Sequence, residues 1–319
     1  MKPPQPTLNG RADLLVGLLL TRADDLRIDI DNCPSGARVI DCGVKARGGL
    51  KVGLALAEIC AAGLAEISLA PADPALPADA DVVFRTDHPV AACLAAQYAG
   101  WQISAGDYVA MGSGPMRAAA AKEPLIKVIG YAERPDVAVG VLETGALPSP
   151  EVCEKIAFDC GVAPERLTLL TARTASLAGT IQVVARSVET ALHKLHELGF
   201  DVRQVVGGFG RAPLPPIAKD DLTAIGRTND AVLYGARVTL WVDCKDDAIA
   251  EVGPKTPSSA SPDHGAAFAD LFQRYGHDFY KIDPLLFSPA VVTLNNLRSG
   301  RIWRFGAPMY DVLSEWFEP

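Results

Sequence analysis

Within the run QVVARSVETALHKLHELGF, residues 182–200, Arg186 and Glu189 stand three apart among small and apolar neighbours, followed by His193 and His196. A carboxylate one helical turn from a guanidinium can serve as a general base that the cation orients and keeps ionised. The same two residues can equally form a surface ion pair worth about 0.2–0.5 kcal/mol. At about 100° per residue, Ile181, Val184, Val188, Leu192 and Leu195 fall on one stripe, the expected core face. Gln182, Arg186, Glu189, His193 and His196 form a second stripe that adjoins the first near Leu192. Lys194 and Glu197 read as ordinary surface charges. Spacing alone leaves the choice between a surface pair and a catalytic pair open. His193 and His196 lack the H-E-x-x-H spacing and a third ligand, so they read as solvated histidines and no metal ligands are nominated.

Two glycine-rich stretches follow predicted strands: MGSGPMR (111–117) and VGGFGRAPLPP (206–216). Both are expected to be turns. Gly112, Ser113 and Gly114 in the first, and Gly207, Gly208 and Gly210 in the second, would let backbone amides approach an anion, with Arg117 or Arg211 adding charge-assisted hydrogen bonds. The plainer reading is a tight turn in which glycine supplies positive φ. Neither stretch is a Walker A loop or a G-x-G-x-x-G fingerprint, and Ser113 does not sit in a G-x-S-x-G elbow.

The elements that must position these residues belong to a layered α/β chain. Strands are expected at DVVFRTD, YVAMGSGP, VAVGVLET, RLTLLTA, VRQVVGGFG and ARVTLWVDC. Helices are expected at PVAACLAAQYAG, PSPEVCEKIAFDCG and DDLTAIGRTNDAVLYG, with one long helix over 175–199. Helical spacing of apolar residues runs through 48–69, and GPKTPSSASPDHG (253–265) reads as a loop. The domain expectation is an irregular segment 1–40 packed on a first α/β domain, 41–150, and a second α/β domain, 151–319, carrying the long helix.

The 319 residues are 49% hydrophobic and carry a formal charge of −8, with no basic run or stripe, so no nucleic-acid partner is expected. Seven scattered cysteines without C-x-x-C spacing are expected to be reduced, buried small hydrophobes in a cytoplasmic protein. The run LLVGLLL (14–20) is too short to span a bilayer and lacks the flanks of a leader, so it reads as a buried strand or short helix and no membrane partner is expected.

Four blocks in order, GSGPMRA (112–118), TASLAGTIQVVARSVETALHKLHELGFD (174–201), GGFGRAPLPPIAKDD (207–221) and AIGRTNDAVLYG (224–235), resemble the methenyltetrahydromethanopterin cyclohydrolase family. The likeness runs from about residue 40 to the C-terminus, and its departures lie in loops and an N-terminal extension. It implies a two-domain layered α/β architecture with a large interdomain pocket, assembled as a homotrimer. It further implies reversible hydrolysis of N5,N10-methenyl-tetrahydromethanopterin to the N5-formyl compound in one-carbon metabolism, with no metal or redox cofactor. By resemblance, Glu189 is the catalytic carboxylate and Arg186 its orienting partner. Gln182, Gly112, Ser113, Gly114 and Arg117 are expected at the substrate, the last four near an anionic group. Gly207, Gly208, Gly210, Thr228, Asn229 and Asp230 are expected to contact the pterin or its backbone neighbours. The Ala/Arg-rich composition points to a bacterial source, a methylotrophic setting and the dephospho substrate. Two other readings stand beside this one: a cyclohydrolase or transferase acting on a folate-type carrier, and a non-catalytic pterin- or anion-binding protein.

Overall fold

The alternation of β-branched runs with alanine-rich segments is realised as two mixed six-stranded sheets. The computed structural model describes residues 7–76 and 78–317. In chain order the strands are β1 (Asp29–Asn32), β2 (Arg38–Gly43), β3 (Glu66–Pro71), β4 (Ala80–Thr86), β5 (Trp101–Ala105), β6 (Tyr108–Ser113), β7 (Ala138–Glu143), β8 (Leu167–Ala172), β9 (Val205–Pro213), β10 (Arg237–Val242), β11 (Val291–Asn296) and β12 (Ile302–Gly306). The chain divides into two compact units, Met1–Ala65 with Ala91–Gln182, and Glu66–Val90 with Val183–Pro319. These boundaries differ from the expected cuts at 40 and 150. The 66–90 excursion delivers β3 and β4 to the second sheet, and the chain leaves the first unit inside the segment expected to be one helix.

The first sheet has the order β1-β2-β8-β7-β6-β5, with β2, β8 and β7 parallel. Parallel strands at the centre of a sheet are covered on both faces and therefore read as continuous apolar runs, and LTLLTA of β8 is buried at every position. Alternate residues feed two cores. Ile40, Cys42, Val139, Val141, Leu170 and Ala172 join helices Leu8–Leu20 and Leu50–Cys60. Val39, Ala138, Leu142, Leu167 and Leu169 join helix Pro150–Cys160. Each large aliphatic side chain buried this way contributes about 1.5–3 kcal/mol. All seven cysteines are buried thiols.

Three expectations change here. The helical reading of 48–69 stops at Cys60, because Ala62 and Gly63 turn the chain through positive φ, and EISLAP becomes β3. The segment LLVGLLL lies in helix Leu8–Leu20, where Val16 and Leu19 face the core but Leu14 and Leu18 are exposed, so it is not buried throughout. The less regular first 40 residues hold that helix and the β1–β2 pair. Among the described residues no helix is long and apolar enough to cross a membrane.

The second sheet has the order β12-β11-β10-β9-β4-β3. β9, one of its two central strands, is antiparallel to both β10 and β4. Arg211 of β9 and Arg237 of β10 are direct cross-strand partners, an arrangement that like charges disfavour. Arg211 is paired with buried Asp81, and Arg237 with Asp73.

A single buried amide ties the first helix to its sheet. Asn9 is fully buried; its Nδ2 donates to the Pro115 carbonyl at 2.9 Å and to Glu133 at 3.0 Å, and its Oδ1 accepts from Val139 N–H at 3.0 Å. Asn9→Ala leaves that strand N–H and that carbonyl unmatched in the core. We expect a loss of about 2–4 kcal/mol, read as lowered thermal and urea midpoints. Midpoints equal to those of the wild-type protein would remove Asn9 from this role.

Candidate functional site

The segment expected to be one helix over 175–199 is two helices, Leu177–Val184 and Ser187–Glu197. Val183 and Val184, both β-branched and poor helix formers, precede the break. At the break, Arg186 N–H donates to the Val183 carbonyl at 3.2 Å, a tighter turn than the α-helical ladder makes. Arg186 becomes the N-cap residue of the second helix, and its carbonyl accepts from Thr190 N–H at 2.9 Å. Glu189 therefore stands in a first turn, where unsatisfied N–H groups and the helix dipole favour negative charge. Burial decides against the surface ion pair, since Arg186 is 8% exposed and Glu189 3%.

The expected core stripe is the observed one, with Ile181, Val184, Val188, Leu192 and Leu195 all buried. Lys194 is not the expected surface charge but is fully buried, with Nζ donating to the Leu285 carbonyl. Burial lowers its pKa to about 8 against the opposing pull of Asp283. A long aliphatic stem can lie along apolar surface while its charged head finds a polar partner, which is why the sequence gave no sign of this burial. His193 lies 3.7 Å from Glu197, and both His193 and His196 are half-buried.

The stretch expected to be a second glycine turn is strand. Gly207, Gly208 and Gly210 lie inside β9 with partners on both sides, and none has positive φ. A Cβ on Gly208 would stand 2.7 Å from Val188 Cγ1, and one on Gly210 would stand 2.5 Å from Ser187 Oγ and 2.8 Å from Val188 Cγ2. The first turn of helix Ser187–Glu197, which carries Glu189, rests on this bare backbone. Gly207 faces the other side of the strand and has ordinary room. The glycines thus provide close approach rather than turn geometry.

MGSGPMR does contain the expected turn. Ser113 ends β6, Gly114 has φ +88° and donates its N–H to the Ala96 carbonyl at 2.9 Å, and helix Met116–Ala120 follows. Arg117 is 1% exposed and committed within its own unit. Its guanidinium is paired with Glu123, donates to the carbonyls of Leu94 and Ala96 at 3.0 and 3.2 Å, and lies 4.9 Å from the Tyr98 ring centroid. These partners fix the end of the π-helical segment Val90–Gln97.

Two candidates from distant blocks do meet. Gln182 Nε2 is 3.6 Å from Cys60 Sγ, which lies 3.3 Å from Ser113 Oγ. Gln182 is 1% exposed, and its Oε1 has no hydrogen-bond partner among the described residues. Cys60 belongs to this group, and its scattered position in the sequence gave no hint of it. In GRTND, Thr228 Oγ1 donates to the Ala224 carbonyl at 2.8 Å and Asn229 Nδ2 to the Ile225 carbonyl at 2.8 Å, both on their own helix, Asp221–Asp230. Asp230 accepts from Phe268 N–H at 2.9 Å.

The cyclohydrolase (MCH) family matches residues 7–317. A methenyltetrahydromethanopterin cyclohydrolase from Rhodopirellula baltica is 53% identical over 288 residues, covering 89% of this chain and 86% of that protein. Enzymes of the same name from Methylobacillus flagellatus and Methanospirillum hungatei are 47% and 43% identical, covering 93% and 92% of this chain and 90% and 93% of their own lengths. The chain belongs to the methenyltetrahydromethanopterin cyclohydrolase family. The match begins at residue 7, so the helix Leu8–Leu20 is part of the cyclohydrolase chain and not an added extension.

Asp230 of this cyclohydrolase-family chain has a pH signature. Burial raises its pKa to about 8 from an ordinary 3.8, outweighing the Phe268 N–H bond. The folded state therefore keeps a proton that the unfolded chain releases. The stabilisation is complete below the ordinary carboxylate range and is lost as pH rises through about 8. Asp230→Asn retains the Oδ1 acceptor and should flatten that decline in a thermal-unfolding series across this range. A decline as steep as that of the wild-type protein would assign the titration elsewhere.

Proposed function

We propose that this chain hydrolyses N5,N10-methenyl-tetrahydromethanopterin to the N5-formyl compound, with Glu189 as general base and Arg186 as its orienting partner. Family membership across 7–317 carries the reaction. Burial of Arg186 and Glu189 at one helix start supports their roles.

The methenyl carbon belongs to a cationic amidinium. Water attacks it as its proton passes to the Glu189 carboxylate, forming the C–O bond and a neutral carbinolamine. Collapse then moves the hydroxyl proton to N10 and breaks the C–N10 bond, leaving the N5-formyl group. One proton is released to solvent overall. The carboxylate acts twice, attracting the cation and taking the proton. In the cyclising direction Glu189 returns the proton as general acid. This chemistry asks for no metal or redox cofactor.

Gln182 is assigned to the substrate, and Gly112, Ser113 and Gly114 to its anionic group. Thr228, Asn229 and Asp230 are assigned to the substrate as well, with part of their hydrogen-bonding capacity spent on their own unit. Arg117 is given no direct part because its donors serve Glu123 and two carbonyls. The dephospho substrate, a homotrimer and a cytoplasmic setting complete the reading.

Loss of the methenyl chromophore tests it directly. Catalysed loss is expected with methenyl-tetrahydromethanopterin and not with methenyl-tetrahydrofolate; the reverse pattern would favour a folate enzyme, and no catalysis would favour a binding protein. Glu189→Gln should lower turnover by about 10²–10⁴, and Arg186→Ala should be severely impaired while still folded. Glu189→Gln activity within a few-fold of the wild-type enzyme would end the base assignment.

A further inference from the structure

We infer that Gly208 and Gly210 are positioning residues for the reaction, setting the depth at which Glu189 is held, and that they act through packing rather than by touching substrate. The inference rests on the assignment of Glu189 as the base. Gly208 and Gly210 alternate on one face of β9, and that face carries the first turn of helix Ser187–Glu197. Gly208 is flanked in register by Leu240 and Thr86, and Gly210 by Val238 and Phe84, so the strand beneath the helix is held on both sides and cannot easily yield. A side chain at either position therefore presses on the Ser187 and Val188 side chains of the helix's first turn.

A Cβ at 208 would lie 2.7 Å from Val188 Cγ1, whereas ordinary contact begins at 3.4 Å, and its next neighbour, Leu240 Cδ2, is already at an ordinary 3.5 Å. Relief by moving the helix alone requires a displacement of about 0.7 Å, the difference between 3.4 and 2.7 Å, on the residue next to Glu189. A misplacement of that size can cost about 10² in rate when it falls on a reacting group. Substrate affinity, governed by groups elsewhere, should change little.

The conflict at Gly208 involves one partner atom, which makes it reversible by design. In the full-length enzyme, Gly208→Ala should lower kcat by about 10–100-fold with KM within a few-fold of the wild-type value. Val188→Ala removes the offending methyl, so Gly208→Ala/Val188→Ala should recover most of the lost kcat. Thermal midpoints of all three proteins guard against unfolding, and if Gly208→Ala folds poorly the double variant still reports, because its kcat must then approach that of Val188→Ala alone. An unchanged kcat in Gly208→Ala, a loss expressed mainly as raised KM, or a double variant no better than Gly208→Ala would overturn the inference. If Glu189→Gln were active, the base assignment would fail independently of this result.

Discussion

A charged group taken out of water loses several kcal/mol of hydration that the protein must replace with fixed partners. Helix Ser187–Glu197 and its cap place three such groups in one short stretch, Arg186, Glu189 and Lys194, all buried. The break at 185–186 answers the demand made by Glu189. In a continuous helix this carboxylate would stand mid-way along the ladder, where every N–H is already used. The break puts it in a first turn, among N–H groups with no intrahelical acceptor and at the positive end of a dipole. Lys194, two turns on, is answered by the Leu285 carbonyl and the field of Asp283.

Close approach follows from the same constraint. Exclusion of water from the helix start requires a neighbour that fits against it, and β9 supplies that neighbour by carrying no side chains at 208 and 210. Glycine weakens a strand interior. Here β9 is an interior strand of its sheet, bonded along both edges, so the ladders offset what glycine forfeits. The first unit meets its own packing demand more conventionally, with alternate residues of three parallel strands feeding two apolar cores.

The sequence made the layered α/β class readable because β8, β7 and β10 are apolar runs bounded by turn residues, and the face of Val188, Leu192 and Leu195 because it has helical period. It did not reveal the break at Arg186, since no Gly or Pro marks it and the pattern stays in phase on either side. GGFG looked like a turn because glycine spacing alone does not separate positive φ from close approach; only the partner helix does. Lys194 looked exposed because a long stem and a charged tip carry no record of which is buried. The meeting of Gln182, Cys60 and Ser113 joins three positions far apart in the chain, a tertiary fact with no local signature.

On the proposed mechanism, the reaction converts a cationic substrate and an anionic carboxylate into a neutral adduct and a neutral acid. A poorly solvated site favours that change, because the charges it destroys are those that cost most to keep there. Attraction between the methenyl cation and Glu189 also stabilises the ground state, however, and equal stabilisation of ground and transition states adds nothing to turnover. Arg186 tips this balance. Its own positive charge offsets part of the attraction between carboxylate and substrate, and it persists after the substrate charge is gone. On the same proposal, a proton newly held by Glu189 passes to solvent more readily because the Arg186 charge persists. Both effects act on the steps at which charge is redistributed, which is why a buried guanidinium three residues from the carboxylate serves this chemistry better than a neutral hydrogen-bond donor would.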